Sequence, residues 1–187
     1  MNNQKKYLIT DPKYYTNDKK IFEQTLIKTL KNNQIDIACF RDKESENFEE
    51  LAKIFIEICK KFNIKEILLN SDYILAKKLD ATGVHLNSKQ FDKIKEAKEK
   101  NLFVIISCHN YLEIENAIKE KADAITFSPI FETRNKGEAK GIEKLKEATN
   151  LYKDIKIIAL GGIISNEQIK KIGKTNAYGF ASIRYFI

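Results

Sequence analysis

Phe103-Val104-Ile105-Ile106 and Ile157-Ile158-Ala159-Leu160 are apolar at every position instead of every second one, and this decides the fold class. A strand with one face in water alternates, whereas a strand covered by helices on both faces does not. The two runs extend over Leu102 to Ser107 and Ile155 to Leu160. Six more short runs accompany them: Tyr7 to Thr10, Ile35 to Phe40, Glu66 to Leu69, Gly83 to Leu86, Ala124 to Phe127 and Gly179 to Ala181. Between these lie segments with three-four apolar spacing: Ile21, Leu26, Ile27 and Leu30; Phe48, Leu51, Ile54, Phe55, Ile58 and Cys59; Leu112, Ile114 and Ile118; Leu145, Ala148 and Leu151; Ile164, Ile169 and Ile172. Such spacing places one apolar stripe on a helix.

Eight strands separated in this way are too far apart in the chain for tight hairpins, which leaves right-handed parallel crossovers. The simplest closure is a small (β/α)8 TIM barrel formed by residues 1–187 as a single domain. An open doubly wound sheet is the alternative, because only a few residues follow the eighth strand and the eighth helix is missing or truncated. The 187 residues also fall short of the roughly 250 typical of such barrels.

Composition narrows the function classes. A chain 43% apolar and 32% charged, with seven glycines and two prolines, is an ordinary globular protein, neither collagen-like nor disordered. No apolar run reaches membrane-spanning length and the start, Met1 to Lys6, is polar, so neither membrane insertion nor secretion is expected. Cys39, Cys59 and Cys108 form no C-x-x-C pair; the expectation is reduced thiols in the cytoplasm and no zinc cluster. The net charge of +7 comes from lysines interspersed with acids, as from Lys89 to Lys100, which reads as a solvated surface and not as a nucleic-acid footprint. Arginine is scarce: Arg41, Arg134 and Arg184 are the only three, and all fall just after predicted strands.

That position matters because barrel active sites sit at the C-terminal ends of the strands. Gly161-Gly162, the only Gly-Gly pair, follows the seventh strand and lets backbone N–H groups approach an anion closely. With Ile183 and Arg184 after the eighth strand it makes a candidate phosphate site. Arg41 and Lys43, two residues apart after the second strand, can face one side and clamp a carboxylate or phosphate. The loop Phe131 to Gly137, with Thr133, Arg134 and Lys136, can fold over an anionic ligand. Of the two histidines, His85 lies inside a strand and reads as a hydrogen-bonded core residue. His109 lies beyond the fifth strand, where an imidazole can take and return a proton.

The succession Tyr7-Leu8-Ile9-Thr10-Asp11, Arg41-Asp42-Lys43, Asn70, Gly83-Val84-His85-Leu86, Ser107-Cys108-His109, Phe131-Glu132-Thr133 with Lys136, Ala159-Leu160-Gly161-Gly162-Ile163 and Gly179-Phe180-Ala181 resembles the thiamine phosphate synthase/TenI superfamily over nearly the whole chain. The resemblance implies a barrel enzyme of thiamine biosynthesis acting on a thiazole phosphate. Two branches differ in their metal. The synthase joins the thiazole phosphate to a pyrimidine diphosphate with Mg²⁺; TenI tautomerises a carboxythiazole phosphate without one. Where the synthase pattern carries aspartates, this chain has Asn70-Ser71 and, after the fourth strand, Asn87-Ser88-Lys89-Gln90. Mg²⁺ prefers hard anionic oxygens. Asp72, one residue away, leaves a shifted metal site as an alternative, and Cys39 replaces the glutamine that the synthase uses for pyrophosphate.

The Ser-x-His and Phe-Glu-Thr-x-x-Lys matches are similar to TenI. They imply His109 as the acid/base, with Arg41, Lys43, Asn70, Ser107, Thr133 and Lys136 around the substrate, Gly161, Gly162, Ile183 and Arg184 on the phosphate, and no metal or other cofactor. A Mg²⁺-dependent synthase and a non-catalytic phosphate-ligand binder are the alternatives. The missing eighth helix implies an uncovered barrel flank near strands one and eight, which a partner subunit in a homodimer could shield.

Overall fold

Eight short strands, each buried along most of its length, pair in parallel with their sequence neighbours, and the eighth returns to the first. In chain order they are β1 (Lys5–Ile9), β2 (Ile37–Phe40), β3 (Glu66–Asn70), β4 (Gly83–Leu86), β5 (Phe103–Cys108), β6 (Ala124–Phe127), β7 (Lys156–Leu160) and β8 (Gly179–Ser182). The barrel is closed in the order β1 to β8, with Lys5 to Leu8 of β1 in register with Gly179 to Ser182 of β8. The computed structural model describes residues 4–134 and 136–187. The open doubly wound alternative is thereby excluded.

Alternation along each strand sorts the side chains into two cores. Tyr7, Ile9, Ile37, Cys39, Leu68, Ile105, Ala124, Ile158 and Ala181 fill the barrel. The other phase, with Leu8, Phe40, Leu69, Val84, Ile106, Phe127 and Phe180, packs under the helices. Gly83 and Gly179 supply the narrow places: a Cβ would lie 2.2 Å from the carbonyl oxygen of Phe103 or Lys5, respectively.

Seven helices cover the wall: α2 (Lys19–Asn32), α3 (Phe48–Lys61), α4 (Tyr73–Lys78), α5 (Lys93–Glu99), α6 (Tyr111–Lys119), α7 (Gly141–Leu151) and α8 (Asn166–Ile172). The predicted stripes hold at Leu26, Leu30, Leu51, Phe55, Ile114, Leu145 and Ile172, all buried, but Ile21, Leu112, Leu151 and Ile164 are exposed. They sit at helix ends or before the helix, where apolar spacing no longer ensures contact with the wall. A single-turn helix α1 (Pro12–Tyr15) was not expected; Asp11 caps it through Lys13 N at 3.2 Å and Pro12 starts it. No described helix is long and apolar enough to cross a membrane.

The residues after β8 cover this flank of the barrel. Phe186 is 3% exposed and stacks on Phe180 with centroids 5.8 Å apart, while Tyr185 meets both rings edge-on. Asn33 at the end of α2 donates to the Phe186 carbonyl at 3.1 Å. A short aromatic turn, Tyr185–Phe186, therefore packs over this flank.

Candidate active site

The strand C-termini surround a cleft of about 350 Å³. Eleven of the residues singled out from the sequence line it: His109, Arg41, Lys43, Asn70, Ser107, Thr133, Lys136, Gly161, Gly162, Ile183 and Arg184. Arg134 does not; it is exposed in the loop after β6. The charge of the lining is one-sided. Arg41, Lys43, Lys136 and Arg184 contribute four cations, and among the described residues no aspartate or glutamate lines the cleft.

Arg41 is held from the side. Its guanidinium donates to Asp11 at 2.7 Å, and its backbone is pinned by mutual hydrogen bonds with Thr10 at 2.9 and 3.1 Å. Asp11 orients one arm of the fork and leaves less net charge than a free guanidinium would offer. The two-residue spacing said nothing of this partner, 30 positions earlier in the chain. Among the described residues, no carboxylate lies within ion-pair distance of Lys43, Lys136 or Arg184, so these cations remain free for an anion.

At the β7 and β8 ends, the glycine pair does two things. Gly161 and Gly162 have φ of +102° and +69°, angles that favour glycine. They also admit the loop after β6: Phe131 N donates to the Gly161 carbonyl at 3.0 Å and Ile130 N to that of Leu160 at 2.9 Å. A Cβ on Gly162 would sit 2.5 Å from the Glu132 carbonyl oxygen. Ser182 Oγ donates to the Ile163 carbonyl at 2.7 Å and ties the two rim segments together. The N–H groups of Gly162, Ile183 and Arg184 have no acceptor among the described residues, so these donors are open to a ligand. The start of α8 is already satisfied by the Ser165–Gln168 capping box.

His109 is exposed at the end of β5. Its Nδ1 lies 3.1 Å from the Ser128 carbonyl oxygen and 3.2 Å from Ser128 Oγ. A carbonyl only accepts, so Nδ1 carries the proton, and the neutral ring keeps a lone pair on Nε2. His85 is different. It is buried, as expected, with Tyr7 Oη 2.8 Å from Nδ1 and Ser107 Oγ 3.1 Å from Nε2, yet its edge also reaches the cleft floor, which its place inside a strand had obscured. Burial, aided by the Arg41 charge, pushes its imidazole down to about 4.

That depression has a stability consequence with a definite sign. An unfolded histidine titrates near 6.5, so between about 6.5 and 4 the unfolded chain binds the extra proton. The stabilisation from neutral His85 is complete above the unfolded value and is lost as pH falls towards 4, about 3 kcal/mol in all. Urea unfolding across this interval should show a steeper loss in wild type than in His85→Gln, and equal slopes would remove His85 as its source.

The Mg²⁺ donor set expected of a synthase is not matched. Ser71 Oγ accepts from Asn70 Nδ2 at 2.9 Å, Asn87 Nδ2 donates to Gln90 Oε1 at 2.6 Å, and Gln90 Nε2 donates to the Ser71 carbonyl at 2.9 Å. This neutral network occupies the rim between β3 and β4. Asp72, the shifted-site candidate, instead caps α4 by accepting from Leu75 N at 2.8 Å, and its side chain is outside the cleft lining. Hard divalent cations need carboxylate oxygens that these residues do not supply.

Barrel, rim cleft and cationic lining define a TIM-barrel protein with one positively charged cleft at the strand C-termini. The family model for thiamine monophosphate synthase matches residues 6–186. A relative from Aquifex aeolicus, provisionally named thiamine-phosphate synthase 2, is 36% identical, covering 97% of this chain and 96% of its own. The thiamine-phosphate synthase of Pelagibacter ubique is 33% identical over 83% of this chain and 77% of its own. Among solved structures, a thiamine phosphate pyrophosphorylase from Pyrococcus furiosus superposes with a TM-score of 0.82 at 24% identity, covering 97% of this chain and 86% of that one; this likeness concerns the fold. The chain belongs to the thiamine monophosphate synthase family.

Proposed function

We propose that this member of the family, an enzyme of thiamine biosynthesis, is a metal-independent tautomerase of a carboxythiazole phosphate. The observation that carries the reading is the cleft lining: four cations and, among the described residues, no carboxylate, which suits a ligand anionic at both ends and offers Mg²⁺ no charged oxygen. The phosphate takes the N–H groups of Gly162, Ile183 and Arg184, and the carboxylate takes Arg41, Asn70 and Lys136. Lys43 and Thr133 complete the rim on either side. His109 Nε2 removes the proton from the carboxylate-bearing ring carbon, the ring electrons shift to the exocyclic carbon, and the imidazolium returns the proton there. One base serves both carbons, the ring becomes aromatic, and the enzyme ends in its starting protonation state.

The relatives' names favour a second reading, thiamine-phosphate synthase, and with it a Mg²⁺-dependent transfer. Two assays separate the readings. Solvent proton incorporation into the carboxythiazole phosphate, expected without added metal, tests the first. Mg²⁺-dependent formation of thiamine phosphate from thiazole phosphate and the pyrimidine diphosphate would establish the second and overturn the first if no tautomerisation accompanied it.

Arg184 should act mainly in binding. Its charge-assisted bonds add to neutral backbone donors, and the phosphate is remote from the reacting carbons. Arg184→Ala is expected to weaken ligand affinity by about 1.5–3 kcal/mol and to raise KM more than it lowers kcat. Titration calorimetry with the thiazole phosphate checks it, and unchanged affinity would return Arg184 to solvent.

A further inference from the structure

Below the cleft, four strands contribute a line of polar groups to the barrel interior: Tyr7 from β1, His85 from β4, Ser107 from β5 and Thr126 from β6. Tyr7 is fully buried and His85 is 4% exposed, so their hydrogen bonds cannot be exchanged for bulk water. Burial raises the Tyr7 phenol well above its ordinary value, and it keeps its proton. That proton has two possible acceptors nearby, His85 Nδ1 at 2.8 Å and the buried Cys39 thiol. Sulfur is the weaker acceptor, and Cys39 Sγ is itself directed at the Phe40 carbonyl, 3.7 Å away. Tyr7 therefore donates to Nδ1. A neutral imidazole that accepts at Nδ1 carries its hydrogen on Nε2, and the nearer oxygen there is Ser107 Oγ at 3.1 Å, with Thr126 Oγ1 at 3.4 Å. Once Ser107 Oγ has accepted from below, its own hydrogen is left for the cleft that it lines.

We propose that Tyr7 and His85 are positioning residues that hold the Ser107 hydroxyl as a hydrogen-bond donor towards the cleft, so that the ligand atom seated over β5 is an acceptor, such as a carboxylate oxygen or an unprotonated ring nitrogen. An amino group at that point must displace the Ser107 hydrogen to reach the one lone pair that remains, and binds less well. The two histidines thus carry their protons on opposite nitrogens, His85 on Nε2 and His109 on Nδ1. The nature of the ligand rests on the proposed tautomerase reading; the polarity of Ser107 does not.

The full chain with ¹⁵N-labelled histidine gives a ligand-free test, because its two histidines yield two readable imidazoles. His85 is expected to be protonated on Nε2 and to remain so in Ser107→Ala, with a displaced Nε2–H signal. Protonation on Nδ1 would overturn the proposal. So would an Nε2–H signal unmoved by Ser107→Ala, which would assign that hydrogen to Thr126. Tyr7→Phe should then weaken binding of the carboxythiazole phosphate on the order of tenfold, about one hydrogen bond to a charged group. Binding of inorganic phosphate should be unchanged, and the loss should vanish in a Ser107→Ala background. If wild type fails to bind the carboxythiazole phosphate, the tautomerase reading fails while the imidazole spectra still decide the polarity of Ser107.

Discussion

Replacing His109 with alanine is expected to lower turnover of the carboxythiazole phosphate by about 10²–10⁴-fold, the usual contribution of a positioned acid/base, with KM nearly unchanged. The split follows from the geometry. His109 Nδ1 is engaged by Ser128, which leaves Nε2 free for the proposed proton transfer, whereas in the proposed pose the ligand's charged ends would meet Arg41, Lys136 and the β7–β8 rim. The side chain is exposed, so its removal leaves no cavity and the melting temperature should stay within a degree or two. His109→Gln should be as inactive, because an amide can hydrogen-bond but cannot cycle a proton near neutral pH. Solvent deuterium incorporation measured at saturating and at low substrate reads both terms. A variant that exchanges at the wild-type rate removes His109 from the mechanism.

Gly83→Ala should be the most damaging single-methyl change. The added Cβ would lie 2.2 Å from the Phe103 carbonyl oxygen and 2.5 Å from Leu68 Cδ2. The first of these belongs to the backbone of β5 and cannot rotate away, so β4 and β5 must separate at the start of their ladder. Overpacking of this kind costs about 3 kcal/mol, which in a chain of this size lowers the melting temperature by roughly 6–12 °C. A functional loss should accompany it, because the same two strands carry His85 and Ser107, whose contact of 3.1 Å depends on their spacing. Calorimetric melting of the variant decides the first point; a melting temperature equal to wild type would show that the barrel yields there at little cost.

The strand frame was legible because double-sided burial leaves a plain mark: Val104 to Ile106 and Ile157 to Ala159 must satisfy both the barrel interior and the helices. Strands β4 and β6 match their sequence reading at both ends, and the cleft draws together most of the rim residues expected from the sequence, though not Arg134 or Asp72. What remained hidden depends on partners distant in sequence. Asp11 reveals nothing of Arg41 until β1 and β2 pair, and Ile21 and Leu112 have the spacing of core residues without a wall to meet. Asp72 was ambiguous for a different reason: in a βα unit the helix begins where the strand's functional end lies, so helix-capping acids and ligand-binding acids occupy the same few positions. Only the hydrogen bond to Leu75 N distinguishes them. His85 shows the same limit, since a residue inside a strand can point along the barrel axis and reach the site from beneath.

Closure of the barrel between β1 and β8 joins residues at opposite ends of the chain, Lys5 with Gly179 and Leu8 with Ser182. During synthesis the other seven strands emerge before β8, and until it arrives β1 and β7 expose unpaired edges. Contacts so distant in sequence form slowly because a large loop must close before they return any stabilisation. The last segment to dock also brings the Ile183 and Arg184 N–H groups to the rim. In the proposed phosphate site, a ligand held by these groups would favour the closed form and shift the closing equilibrium towards it, so that completing the fold and binding the small molecule would be coupled.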